Sequence, residues 1–387
     1  MIPESAMSCR CTGCDTTAAS GGGVFALVNG LRDPRDRRGR IYPLGSVLLV
    51  ALCAIACGFD SFRAMGKWAA AAPPCTLERL GLRRSGVFGL VRAPGEDTVR
   101  RVVNAVMPGG LEQLLRVVRE KAEVVAVDGK WLRGSRDAEG RAVMVLGAMA
   151  QDGTLVAQQR IPDKSGEVTG FAALLSVLDL QGAVVVADAL HTQREHARDL
   201  VEGFDAHFVF TVKRNQPTLW RACRAVPWDR VRASSRSTVY AHGRVETRVV
   251  DVVTWDDLDF PHVRQVARIT RYRTERASGR RTRETVYVVT SLSARQADPE
   301  RIGKIVRGHW GIENKIHYVR DVTFGEDASR IRTGHGPVNM ATLRSTAMNF
   351  LRRTGSSIAD ARRNLALSPH RAPLDLFGIP CDLHVHA

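Results

Sequence analysis

The 387-residue chain has no apolar run of membrane-spanning length. The longest, Leu44 to Phe59, is 16 residues and contains Ser46 and two glycines, against about 20 for a bilayer helix. It therefore predicts a buried core helix. The first residues lack a basic start followed by an apolar stretch, so no secretory signal is expected and the reading is cytoplasmic. Cysteine is sparse and unpatterned: eight residues, with Cys53 and Cys57 inside the apolar run, give no disulfide framework. Cys9, Cys11 and Cys14 offer three zinc ligands without a fourth at finger spacing, and a reduced polar leader is the expectation for residues 1–23. Acid is also in deficit. Forty Asp and Glu against 56 Lys and Arg leave a net charge of +16, which points to a polyanionic partner, nucleic acid before a membrane surface. The 44% apolar content excludes a disordered or collagen-like chain.

What is present changes character along the chain. Residues 24–121 carry apolar residues at helical spacing: Val99, Val102, Val103 and Val106 in Glu96–Met107, then Leu111, Leu114, Leu115 and Val118 in Leu111–Lys121. Asp60 is the expected N-cap of a helix through Ala72. The region predicts an all-helical accessory domain. From Glu123 the pattern becomes β. Val124–Val127, Arg141–Ala150 and Thr154–Ile161 are strand candidates, followed by a helix (Glu167–Leu178), a strand (Ala183–Ala187), a helix (Thr192–Glu202) and a strand (His207–Val212). That order suits an α/β domain of RNase H-like type across 122–216. Residues 217–292 read as a β-rich insertion, 293–353 as the helical remainder of the core, and 354–387 as a tail. Between Arg264 and Glu284 eight arginines face two glutamates, interleaved with Val266, Ile269 and Tyr272. This bias to one sign favours a phosphate-facing surface.

Two aspartates end short apolar strands: Asp128 after Val124–Val127, and Asp188 after Val184–Ala187. If those strands are neighbours, both carboxylates open onto one crevice. Paired hard oxygen ligands suit Mg²⁺ or Mn²⁺. Glu313 lies beside the Ile312, Ile316 and Val319 stripe of a late helix, with His309, His317 and Arg320 on the same polar face. Three carboxylates so arranged define a two-metal phosphoryl-transfer site. Glu326 and Asp327 compete with Glu313 as the third carboxylate. Lys213 and Asn215 either contact DNA or form an ordinary turn. Helix-face contacts explain His191 and His196, His242-Gly243-Arg244 reads as a hairpin tip, and His384 and His386 are assigned nothing.

Several motifs in order resemble the DDE transposases of bacterial insertion sequences, the H-repeat-associated (ISAs-type) group. They are Asp33-Pro34-Arg35, Tyr42-Pro43-Leu44, Asp128-Gly129-Lys130 with Leu132-Arg133-Gly134-Ser135, and Ala187-Asp188-Ala189-Leu190-His191-Thr192-Gln193. Val212-Lys213-Arg214-Asn215-Gln216-Pro217, His309-Trp310 through Asn314, Asp321–Phe324 and Glu326–Ser329 complete the set. The resemblance implies that Asp128, Asp188 and Glu313 are a catalytic triad binding two Mg²⁺ or Mn²⁺ ions on an RNase H-like core. It implies cleavage at the element's ends and transfer of the 3′-hydroxyl into target DNA. Lys130, Arg133, Lys213, Asn215, His309 and Arg320 are then the phosphate- and DNA-contacting candidates. The implied partners are duplex DNA, at the terminal inverted repeats and the target, and a second copy when two ends are paired. The implied location is the nucleoid. Related groups place Tyr, Arg and Lys at positions held here by Val306, His309 and Arg320. A same-fold nuclease that does not join strands, and a domesticated DNA-binding protein with vestigial catalysis, are the alternatives.

Overall fold

A computed structural model of the chain describes residues 23–118, 121–136, 140–162, 166–232, 234–241, 243–255 and 257–380. Cys9, Cys11, Cys14, His242, His384 and His386 lie outside the described residues. The chain divides into two units. One gathers the described parts of Met1–Val118, Leu132–Val143 and Val319–Ala387; the other comprises Arg119–Trp131 and Met144–Tyr318. Among the described residues no helix is long and apolar enough to cross a membrane.

The first unit opens with α1 (Val24–Gly30), α2 (Leu44–Ala56), α3 (Phe62–Ala70), α4 (Pro74–Arg79), α5 (Glu96–Ala105) and α6 (Pro108–Leu111). The apolar run forms α2, and all 13 of its residues are buried, as a helix hydrophobic on every side requires. Ser61 caps α3, accepting from the Ala64 amide at 3.2 Å; Asp60, the expected cap, instead receives the Arg362 guanidinium at 2.8 Å. The region is not wholly helical. Arg84–Ser85 (β1) and Leu90–Val91 (β2) form a small antiparallel hairpin, turned by Gly86 and Gly89 at positive φ. Glu112–Arg116 winds as a 3₁₀ segment, where a continuous α-helix to Lys121 is predicted.

The second unit is built on nine strands, of which the end of β3 from Leu132 and the start of β4 to Val143 count with the first unit: β3 (Val124–Arg136), β4 (Ala142–Ala150), β5 (Leu155–Ile161), β6 (Val184–Ala187), β7 (His207–Val212), β8 (Ser234–Ala241), β9 (Arg244–Thr254), β10 (Gln265–Glu275) and β11 (Arg281–Thr290). They form one sheet in the order β5-β4-β3-β6-β7-β11-β10-β9-β8. β4 and β5 are antiparallel, whereas β3, β6 and β7 run parallel. The first five strands thus take the spatial order 3-2-1-4-5. β11 pairs antiparallel with β7, so the arginine-rich strands extend the central sheet instead of forming a separate body. Helices α7 (Gly166–Leu175), α8 (Arg194–Arg198), α9 (Pro217–Ala225) and α10 (Pro299–His309) flank it. Val125, Val127, Leu146, Phe171, Val185, Phe208 and Phe210 lie in its buried core.

Back in the first unit, α11 (Gly336–Arg352) is buried from Gly336 to Leu351 and packs on α2 and α5. The segment read as a tail carries α12 (Ile358–Leu367) and α13 (Ala372–Leu376), and Ala361, Leu374, Phe377 and Ile379 bury their side chains.

Candidate active site

Parallel pairing of β3 with β6 sets Val127 opposite Ala187. The next residues, Asp128 and Asp188, therefore stand side by side although 60 residues separate them: Asp188 follows the end of β6, whereas Asp128, expected to end its strand, lies within β3, which runs on to Arg136. Each is held by local backbone. The Asp128 carboxylate accepts from the Gly129 amide at 2.9 Å. That of Asp188 accepts from the Leu190 amide at 2.8 Å, capping a 3₁₀ turn over Ala189–His191. Asn215 Nδ2 donates to the Ala189 carbonyl at 2.7 Å, and Gln216 Nε2 to Thr192 at 2.9 Å. The stretch after β7 thus braces the Asp188 turn, and the Asn215 amide is committed to that task.

Glu313 follows α10 in a widened, π-type turn over Glu313–His317, a winding that recurs at functional sites. His317 Nδ1 lies 2.8 Å from Glu313 Oε2 and 3.9 Å from Asp128 Oδ2. Asp128, Glu313 and His317 can together present three ligand atoms within 4.8 Å of one another. His309, expected to grip phosphate, is half-buried with Nε2 3.2 Å from the Val127 carbonyl. Burial holds its pKa below the usual histidine range, Val127 and Asp188 pulling the other way and Lys213 adding to the lowering. His309 is thus a neutral ring in the strand-end cleft, with the exposed Lys213 near enough to act on it.

A fourth carboxylate, Glu167 at the start of α7, lies against Gly129 of β3. A Cβ on Gly129 would stand 2.7 Å from Glu167 Oε1, so a side chain there would displace the Glu167 carboxylate. Glu167 is 6% exposed, and the buried His191 Nε2 is 3.8 Å from its Oε2. Burial, and then the charges of Asp188, Glu167 and Glu313, push the Asp128 pKa up to about 7 against the opposing Gly129 hydrogen bond. Carboxylates crowded this tightly call for a cation to neutralise them. The carboxylate oxygens fit a divalent ion of the Mg²⁺ or Mn²⁺ type, and the His317 ring, turned to Glu313, orients that carboxylate.

The other expected contacts divide. Lys130, two residues along β3 from Asp128, is buried at 7% exposure. Arg133 belongs to the first unit, where its exposed guanidinium approaches Asp327 at 3.7 Å. Arg320, also in the first unit, is 1% exposed. Its Nε and Nη2 bind Glu326 at 2.9 and 2.7 Å, and Arg344 Nη1 joins at 3.3 Å. Arg320 lies in a second π-type turn, over Val319–Thr323. Its guanidinium is taken up by Glu326, and Glu326 is neutralised in that cluster.

His317 is visible in sequence as the residue one turn after Glu313, yet spacing alone does not separate a ligand from a solvated neighbour. Glu167 has no sequence signal, because only tertiary packing brings it under Gly129. His317→Ala is expected to weaken Mn²⁺ binding about tenfold or more by freeing the Glu313 carboxylate to rotate, which titration calorimetry would read directly.

The chain belongs to the transposase DDE-domain family: the family described as "Transposase DDE domain" matches residues 119–350, and one described as "DDE_Tnp_1-associated" matches residues 25–117. Among its relatives, "Putative transposase YncI" of Escherichia coli O157:H7 is 28% identical over 85% of this chain and 87% of its own length. "H repeat-associated putative transposase YhhI" of Escherichia coli (strain K12) is 26% identical over 84% and 89%.

Proposed function

We propose that this transposase hydrolyses the phosphodiester at the 3′ ends of its mobile element and joins the freed hydroxyl to target DNA. Asp128, Asp188 and Glu313 are its catalytic carboxylates, on an RNase H-like core. The observation that carries this reading is the juxtaposition of Asp128 and Asp188 on paired parallel strands, with Glu313 and His317 beside Asp128. Two Mg²⁺ or Mn²⁺ ions, when bound, would supply Lewis-acid charge to the scissile phosphate and to the attacking and leaving oxygens. Asp128 and Asp188 would hold one ion jointly, and Glu313 would complete the second site. His317, directing Nδ1–H to Glu313, fixes that carboxylate. Glu167 adds negative charge beside Asp128, which a divalent ion would offset more strongly than a single proton does. Neutral His309 and exposed Lys213 line the phosphate's approach. Two element ends must react together, so the working species is at least a dimer on DNA.

The test is incubation of a supercoiled plasmid carrying both element ends, with Mg²⁺, Mn²⁺ or EDTA. Metal-dependent nicks at the ends, followed by joined products, are expected. Nicks without joining would reduce the protein to a nuclease. Binding without nicking under either metal would overturn the catalytic reading and leave a DNA-binding protein.

A further inference from the structure

The strand registers sort the side chains of the β8–β11 arm onto two faces that differ in charge balance. Val250 packs against α10, where a Cβ on Gly303 would meet its Cγ2 at 3.0 Å. Ile269 and Val286 lie in the same cross-strand row, on the α10 face. Alternation then puts Arg248, Arg271, Arg273, Glu246 and Glu284 on that face toward the distal end. Its arginines are matched: Arg248 pairs with Glu246, Arg271 with Glu284, and Arg273 approaches Glu246 at 3.6 Å.

The opposite face differs. Successive rows carry Arg236 beside Val249, Thr270 and Thr285; then Thr238, Thr247, Tyr272 and Arg283; then Tyr240, Val245, Thr274 and Arg281. These rows hold no carboxylate. Arg236, Arg281 and Arg283 are exposed and form no ion pair among the described residues. Arg283 lies over the Tyr272 ring at 5.7 Å, and Tyr240 and Tyr272 are 72% and 42% exposed. Three unneutralised guanidinium groups, beside the exposed Thr238 and Thr285 and with Thr270 of the innermost row buried, match the donors that grip DNA backbone.

We infer that this face of the arm, away from α10, is a docking surface for the phosphate backbone of duplex DNA, with Arg236, Arg281 and Arg283 as its charged contacts. The inference rests on the proposed action on DNA and adds where the duplex is held outside the carboxylate site. Since the contacts are to backbone, their effect on affinity should be independent of sequence.

The test measures binding of a labelled element-end duplex, and of an unrelated duplex, by fluorescence anisotropy across a salt series. One variant combines Arg236→Ser, Arg281→Ser and Arg283→Ser; its charge-matched control combines Arg248→Ser, Arg271→Ser and Arg273→Ser. Each lost phosphate contact removes about 0.9 from the slope of log affinity against log salt. The first variant should therefore lose up to about 2.7 in slope and roughly tenfold or more in affinity on both duplexes, with the control changed much less. Equal losses in both variants would mean a net-charge effect and overturn the proposal, as would wild-type binding by the first. A shift in self-association at unchanged DNA affinity would instead assign the face to a second copy. Failure of the wild-type protein to bind either duplex would defeat the underlying DNA reading, a result distinct from all of these.

Discussion

Asp128→Asn is expected to abolish strand cleavage, by at least about a thousandfold, and to make the metal-free protein more stable. The two effects share one origin. Removing a positioned carboxylate from an electrostatic site costs catalysis several kcal/mol of transition-state stabilisation. In the absence of a cation the same carboxylate is a liability, buried among Asp188, Glu167 and Glu313 and driven up to about pKa 7. The sign of the pH dependence follows. Between the ordinary aspartate value near 4 and about 7, the native state retains a proton that the unfolded chain has released. Stability from this group therefore falls as pH rises through that window. Roughly three pH units at about 1.4 kcal/mol each give at most about 4 kcal/mol, or roughly 5 °C in Tm at this chain length. Wild-type protein with EDTA should melt lower at pH 8 than at pH 5.5, Asp128→Asn should reduce that difference while the share of Glu112, which burial also pushes up to about 7, remains, and Mn²⁺ should raise wild-type Tm at pH 8 but not that of the variant. A variant that cleaves at the wild-type rate would remove Asp128 from the mechanism. An unchanged pH profile would remove the crowding from the energetics.

The parts of this arrangement that can be read from sequence are those written into local patterns. Val124–Val127 and Val184–Ala187 are short β-branched runs, each followed at once by aspartate, and their pairing requires only that they be neighbours in a parallel sheet. The run that forms α2 announces its burial by being apolar on all sides. Patterns fail where tertiary contact decides. β8, Ser-Ser-Arg-Ser-Thr-Val-Tyr-Ala, lacks a hydrophobic face because it is an edge strand whose one neighbour is β9. α12, read as tail, is anchored by a charged residue, Arg362, which reaches Asp60 and the Ile55 carbonyl about 300 positions away, a contact that no local pattern announces. The helix bearing Glu313 looks regular in sequence. Its spacing does not show the two π-type turns, Glu313–His317 and Val319–Thr323, nor the pairing of Arg320 with Glu326.

That buried pairing yields the other large effect. Glu326→Ala should destabilise the protein by about 3–5 kcal/mol, because it strands Arg320 and Arg344, 1% and 2% exposed, without their shared carboxylate. At this chain length the loss corresponds to roughly 5–10 °C in Tm. Its neighbour Asp327 provides the internal contrast. Asp327 approaches the exposed Arg133 at 3.7 Å, a pairing worth well under about 1 kcal/mol in solvent, so Asp327→Asn should leave Tm nearly unchanged. The pair also settles which acid after Glu313 matters for chemistry. If Glu326 acts only through the fold, Glu326→Gln at a temperature where it remains native should still cleave DNA at a rate within about tenfold of wild type, whereas Glu313→Gln should be inactive at its full, wild-type Tm. The reverse pattern, Glu326→Gln folded but inactive and Glu313→Gln active, would transfer the third catalytic carboxylate to Glu326. It would also require the Arg320–Glu326 pair to open during the reaction, because a carboxylate held by two buried arginines is already neutralised and has little affinity left for a cation.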